Sequence, residues 1–418
     1  MYRLFIRFKD RDWLYLIPLV LLSLAVRFRY FFVQLRSEQG LPTSPDSEWY
    51  LDYAHALMAD FRIGLDMNDI MYAGYNLLLT LLLAIFKDPV AVVFIQVATA
   101  GLSVILVYKI ARMLFNRTTA FIASVFYGYS WDITLWSTYI LTDSFFISLL
   151  LTSVYLLLKS FESDKKRYKI LFAASALYMF VFRPAGILTI LFMLLYIWIR
   201  MDKRKLLRWI ADRRTVVFSV LAAAVAVLGI LLASGRLAPF LESLEENALK
   251  VLYNMYAHGW VYDKPSEHDY PFKADFTIDI ANSAIVSFLV HNGDQIIGLY
   301  GKRIVAFLGR WVWETDLGSV HGVLRFVRYI LPTVLFVLGT VAAIVAGTFR
   351  KASVLWLVTL AVFVFCVIFF IDGLYRYKAP SIPFIAIAAA YGADRIIRGL
   401  LVIAKKYTGM LLWNKEKY

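Results

Sequence analysis

A single cysteine, Cys366, stands in a chain of 418 residues, so an intramolecular disulfide is excluded and cysteine usage does not report a redox compartment. Charged residues are also scarce. They make up 18% of the chain, against 61% hydrophobic and 17% aromatic residues, where a soluble domain is nearer one quarter charged. The short alternation of a membrane β-barrel is missing, as are internal repeats and low-complexity linkers. The five histidines carry no close ligand spacing: His55 stands early, and His258, His268, His291 and His321 are far apart. No cofactor is expected, and a divalent metal has no motif to support it.

What is present is a series of apolar runs about twenty residues long. They predict an all-α polytopic membrane protein. The first, near Trp13 to Val33, is too long for a signal-peptide core and lacks a small-residue cleavage site, so it reads as a retained helix. Apolar spans are expected at 13–34, 90–114, 118–140, 143–159, 168–182, 184–200, 215–234, 326–348, 353–371 and 379–398.

The net charge of +14 raises the question of nucleic acid. Its distribution argues otherwise. Basic residues cluster in short segments between spans, such as "RMLFNR", "KSFESDKKRYK" and "RMDKRKLLRWIADRR", as the positive-inside rule requires. Ten crossings place every basic cluster on the cytoplasmic side and an acid-rich stretch, "SPDSEWYLDYAHALMAD", on the outer side. Residues 71–86 are apolar enough to span, but a crossing there would invert the later clusters. They are expected to lie in the outer interface. "NRT" at 116–118 fits a glycosylation pattern but falls on the inner side. The expected organisation is a membrane core over 1–234 with its first outer loop at 34–89, an outer loop over 235–325, closing spans over 326–398 and a tail over 399–418.

The outer side holds the candidate chemistry. Ser44 and Pro45 are a helix-start signal, predicting a helix from 45 to 60. Asp46, Tyr50, Tyr53 and Leu57 share one face of it, while Glu48 and Asp52 read as a solvated like-charge pair. An acid in a first turn also serves the helix dipole, so Asp46 has a purely structural reading. Asp143, in "YILTD", starts a later span at the same boundary. There Thr142 and Asp143 are candidate helix caps, or Asp143 faces a protein cavity. Asp132, eleven residues earlier, could share that site but is expected to face the interface. Arg183 in "VFRPAG" either snorkels to headgroups or holds an anion. Arg376 and Lys378 in "DGLYRYKAPSIP" are candidate phosphate ligands, the first as a fork and the second as a point charge. In the outer loop, "LESLEENALKVLYNMYAHGW" reads as an amphipathic helix and "YDKPSEHDYPFKAD" as irregular. "GLYGKRIVAFLGRWVWETD" reads as an interfacial helix carrying Lys302 and Arg303, further candidates for a lipid phosphate.

The order of "PDSEWYLDYAHAL", "MYAGYNLLLTLLLAIF", "YILTDSFF", "FRPAG" and "YRYKAPSIP" resembles GT-C glycosyltransferases. The likeness is to the branch of protein O-mannosyltransferases and lipid A aminoarabinose transferases, over residues 1–200 and 326–398. In that family an Asp at the reaction centre is followed by an aromatic residue and an alanine; Asp46, Tyr50 and Ala54 match. A second acid in a "TE" or "TD" pair matches Asp143, and Arg376, Tyr377 and Pro380 match an Arg-Tyr-before-Pro element. The chain departs from many relatives in carrying Ser47 where they have a second acid, and the carboxyl-terminal soluble domain of oligosaccharyltransferases is not expected. The resemblance implies about 10–11 transmembrane helices with outer juxtamembrane helices, and inverting transfer of a sugar from a polyprenyl-phosphate donor to an acceptor hydroxyl. Asp46 and Asp143 are then the catalytic pair. Arg376, Lys378, Arg183, Lys302 and Arg303 face the donor phosphate, and Tyr50, Tyr53 and Tyr377 line the pocket. The expected partners are the lipid-linked donor, a lipid, polysaccharide or protein acceptor, and membrane lipids, without nucleic acid. The expected location is a bacterial inner membrane with the site on its outer face. A lipid-linked sugar flippase and an O-antigen ligase or polymerase are the alternative readings.

Overall fold

The computed structural model describes residues 11–61, 67–163, 165–238, 249, 251–256, 258–262, 265–369 and 374–415. Among them every regular element is helical. In chain order these are α1 (Trp13–Leu35), α2 (Pro45–Asp60), α3 (Met67–Phe86), α4 (Pro89–Leu102), α5 (Val104–Leu114), α6 (Arg117–Gly128), α7 (Trp131–Trp136), α8 (Thr142–Glu162), α9 (Lys166–Phe180), α10 (Pro184–Arg200), α11 (Lys203–Asp212) and α12 (Arg214–Ala233). After the outer segment come α13 (Ala284–His291), α14 (Gly293–Gly309), α15 (Val320–Val345), α16 (Phe349–Ile368), α17 (Leu374–Lys378) and α18 (Ile382–Lys415). The protein is an all-α polytopic membrane protein.

Interhelical hydrogen bonds fix the direction of each pass. Ser23 in α1 donates to the carbonyl of Gly101, and Tyr108 donates to Asp12 just before α1, so α4 and α5 run antiparallel to α1. Arg117 at the start of α6 also reaches Asp12, and Arg27 reaches the carbonyls at the end of α6. α6 is therefore parallel to α1. Ser144 donates to the Gln96 carbonyl and Ser103 to Ser148, which makes α8 parallel to α4 and α5. The last turn of α10 meets the first turn of α16 through Tyr196 and Arg350. Phe115 stacks on Tyr391 at 4.1 Å, which brings the third turn of α18 to the α5–α6 turn.

Two chemically distinct ends result. Asp12, Arg112, Arg117, Lys159, Arg350, Lys351 and Arg398 gather at one, and Asp46, Asp143, Arg183 and Arg376 at the other.

Among the described residues, five helical spans are long and apolar enough to cross a membrane: Trp13–Leu35, Pro89–Leu114, Thr142–Glu162, Val320–Val345 and Phe349–Ile368. Of the other expected spans, α9 and α10 have 15 and 17 residues and α12 has 20. The run at 118–140 divides into α6, with 12 residues, and α7, with 6. At 1.5 Å per residue α6 covers only about 18 Å of a hydrocarbon core about 30 Å thick. Arg27 explains the break. It is fully buried and donates to the Tyr127 and Gly128 carbonyls, two of those that a helix end leaves unsatisfied. Its guanidinium also lies 4.7 Å from the Tyr127 ring centre. At the other extreme, α18 continues as helix to Lys415, through most of the expected tail.

α3 begins and ends at the acidic end. Gly74 donates to the Val181 carbonyl beside Arg183, and Tyr178 donates back to the Gly74 carbonyl. α4 starts three residues after α3. Two turns further on, Gln96 donates to the Tyr139 carbonyl, four residues before Asp143. The apolar segment 71–86 thus lies along one end of the bundle.

Candidate active site

α2 forms as its sequence dictates. Ser44 accepts a hydrogen bond from the Ser47 amide at 3.2 Å, and Pro45 takes the first helical position, where its missing N–H costs nothing. Ser47, Tyr50, Ala54 and Leu57 are buried, whereas Glu48, Asp52 and His55 face outward. Asp46 sits at the edge of the buried face, with 48% of its side chain exposed. Tyr50 packs on Tyr75 at 4.8 Å and Tyr72 at 5.8 Å, which pins α2 to α3. Burial pushes the Tyr50 phenol well above its ordinary pKa, so it stays neutral and acts as a hydrogen-bonding surface. Tyr53 lies against Trp49 at 5.7 Å.

Asp143 occupies the second position of α8 and is fully buried. Neither it nor Thr142 caps the helix: Leu141 is the cap residue, and no side chain bonds the first amides. Guanidinium groups take the carboxylate instead. Arg183 binds Oδ1, and Arg376 Nε binds Oδ2 at 3.0 Å. Two charge-assisted bonds offset the cost of burying this anion, which capping alone would leave uncompensated.

Arg183 does not snorkel. It is 2% exposed and turns inward from the α9–α10 turn. "RPAG" explains that turn. Arg183 is the cap residue, Pro184 opens α10, and the Gly186 amide bonds the Arg183 carbonyl at 2.8 Å. A Cβ on Gly186 would lie 2.2 Å from the Met179 carbonyl oxygen, so glycine lets α10 fold back against α9.

Arg376 links the two aspartates. Its Nη1 reaches Asp46 Oδ2 at 2.6 Å while its Nε holds Asp143. The result is a chain Asp46–Arg376–Asp143–Arg183 running from half-exposed to fully buried. Tyr377 lies beneath both arginines, 5.1 Å from Arg183 and 5.8 Å from Arg376. Tyr72 is within electrostatic range of all four charged groups.

The remaining basic candidates have other partners. Lys378 donates to the Phe307 carbonyl, lies 4.9 Å from the Phe307 ring and has Asp132 and Arg310 as its electrostatic neighbours. Lys302 donates to the His268 carbonyl. Arg303 is fully buried and holds the Trp260 and Val367 carbonyls. Arg303 and Lys378 thus fasten α14 to the segments flanking Arg376, and Lys302 holds the loop before α13.

Asp132 is not at an open interface. It accepts from both terminal guanidinium nitrogens of Arg310, Nη2 at 2.8 Å and Nη1 at 3.0 Å. Arg310 ends α14 at φ +54°, a conformation side chains disfavour, and the two-point contact offsets that strain. Its guanidinium also stacks 5.1 Å from the Tyr375 ring, next to Arg376. No local pattern announces Asp132–Arg310 or Arg27. Tyr72 and Tyr75 were legible only as apolar members of 71–86.

The expected amphipathic helix at 241–260 lies largely outside the described residues; its described part includes a π-helical turn, Val251–Tyr256. The described part of 262–275 is irregular, and the expected interfacial helix is α14.

Fold and site together define a helical membrane protein with a buried carboxylate–guanidinium network opening at one end. The family model for dolichyl-phosphate-mannose-protein mannosyltransferase matches residues 73–232. The match supports, over that segment, the likeness to GT-C membrane glycosyltransferases. Asp143 and Arg183 fall within the matched segment, Asp46 and Arg376 outside it. No curated protein matches the chain.

Proposed function

We propose that the chain is an inverting glycosyltransferase that moves a sugar from a polyprenyl-phosphate donor to an acceptor hydroxyl at the outer membrane–water interface. The observation that carries this reading is one guanidinium shared between a half-exposed and a buried aspartate. The exposed carboxylate is accessible to an acceptor. The buried one fixes the arginine in place.

The step is a single displacement. The acceptor oxygen attacks the anomeric carbon, forming the new glycosidic bond. The bond from that carbon to the phosphate oxygen breaks, and its electron pair leaves with the polyprenyl phosphate. Asp46 takes the acceptor proton as attack develops. Arg376 stabilises the charge that grows on the leaving phosphate.

Nη2 of Arg376 is engaged by neither aspartate, so a phosphate has a donor to approach. A phosphate also competes with Asp46 for Nη1. Donor binding then exchanges one anion for another on Arg376 and releases Asp46 to act as base. Asp143 and Arg183 hold the network rigid.

The proposed location is a bacterial inner membrane, and the segregation of basic residues favours an orientation with the acidic end outward. The acceptor is a lipid, polysaccharide or protein hydroxyl. A flippase would use ionisable groups deep in the spans. Arg27 is such a group, but its Nη1 and Nη2 bond Ser23 and the end of α6.

The test is incubation of the purified protein in liposomes with labelled polyprenyl-phosphate sugars. Transfer, or slow release of free polyprenyl phosphate, is expected. Movement of intact labelled lipid between leaflets, with no cleavage, contradicts the proposal.

A further inference from the structure

A cavity of about 230 Å³ opens at the basic end of the bundle, opposite the aspartates. At roughly 30 Å³ per water molecule, it has room for several waters or a small polar headgroup. Its walls come from α1, α5 and α8. Three cations line it: Lys109 and Arg112 from α5, and Lys159 from α8. The i, i+3 spacing of Lys109 and Arg112 puts both on one face of α5. Tyr108 and Tyr155 add phenol groups, and Leu16 and Met113 supply apolar wall.

The one carboxylate in the lining is already in use. Asp12 Oδ1 accepts from Tyr108 at 3.1 Å and from Arg117, outside the cavity, at 3.1 Å; Arg112 lies 3.8 Å away. Lys159 pairs with Glu162 at 3.0 Å. Lys109 faces the Tyr155 ring at 5.6 Å and has no carboxylate within ion-pair distance among the described residues. The cavity therefore carries positive charge in excess of its acids.

Topology accounts for basic residues at this end, since short inner loops collect them. It does not account for cations from two helices converging on one hollow. Lysine as a point charge and arginine as a fork are the groups that bind phosphate. We propose that this cavity binds a phosphate-bearing anion, either the headgroup of an anionic phospholipid or free phosphate. The site is separate from the aspartate network and does not depend on the reaction there.

The test is native mass spectrometry of the detergent-purified protein titrated with dioleoyl phosphatidylglycerol. Wild type is compared with Lys109→Gln/Arg112→Gln and with Lys165→Gln/Lys166→Gln, two exposed basic positions outside the cavity. The cavity variant should bind about tenfold more weakly, and the control within about twofold of wild type; tenfold corresponds to about 1.4 kcal/mol. If the double variant does not fold, Lys109→Gln alone carries the test, because Lys109 is exposed. Adding inorganic phosphate separates the two sources. Retained lipid assigns the site to a headgroup. Displaced lipid, with bound phosphate that the cavity variant loses, assigns it to free phosphate. Equal binding by all three proteins, or equal loss in cavity and control variants, overturns the proposal.

Discussion

Arg376 Nε lies 3.0 Å from Asp143 Oδ2, joining residues 233 positions apart in the sequence. The contact ties the first turn of α8 to the segment before α18. Asp143 is fully buried, so its charge depends on Arg376 and Arg183.

Removing that charge should destabilise the protein. Asp143→Ala leaves the buried Arg183 without its anion and Arg376 with Asp46 alone. Breaking a buried pair from one side costs about 3–5 kcal/mol. Thermal unfolding in detergent should show a clear drop in Tm. A variant as stable as wild type would mean that the arginines find other partners or water.

Arg376 is expected to discriminate between lysine and arginine. Its fork serves Asp46 and Asp143 with different nitrogens, which a single ammonium group cannot reproduce. Arg376→Lys should therefore lose donor affinity and turnover nearly as fully as Arg376→Ala, although the charge is kept. Donor binding measured on both variants checks this. Near-normal affinity in the lysine variant would show that charge alone suffices.

Asp132 and Arg310 should couple. The pair is two-pronged and mostly buried, and contacts of this kind couple by about 0.5–3 kcal/mol in double-mutant cycles. Asp132→Asn and Arg310→Gln, singly and together, measured by thermal unfolding, supply the cycle. Additive effects would mean that the pair does not fasten α14 to the core.

Burial pushes Lys378 down to about 8 from its ordinary 10.5, with Asp132 acting in the opposite direction. Between pH 8 and 10.5 the unfolded chain holds this proton and the folded chain releases it, so stability rises with pH across that window. In Lys378→Met this contribution disappears. Tm measured from pH 7.5 to 10 in both proteins checks it; parallel curves would contradict it.

The legible parts of the site were those set by local rules. Ser44 and Pro45 fix the start of α2 through a cap and a preset φ, and the helix runs from Pro45 to Asp60 as expected. "YILTD" and "RPAG" likewise mark helix starts. What local rules cannot give is the partner. Asp143 reads equally well as a capping residue, and Arg183 as a headgroup anchor, until α8, α10 and α17 are brought together. Arg303 and Lys378 looked like phosphate ligands because basic residues on the acidic side of a membrane protein are unexpected. In the fold they hold backbone carbonyls: Arg303 those of Trp260 and of Val367 in the last turn of α16, and Lys378 that of Phe307 in α14. Arg27 was hidden within an apolar run, because the helix end it satisfies lies 100 residues away.

The central claim is that Asp46 takes the acceptor proton. It is half exposed and held by one ion pair, so Asp46→Asn should fold with a change in stability of about 1 kcal/mol or less. The direct measurement is the transfer rate of Asp46→Asn with a labelled polyprenyl-phosphate sugar and its acceptor, at matched amounts of folded protein. Loss of a general base predicts a fall of about 10²–10⁴-fold. A wild-type rate would contradict the account.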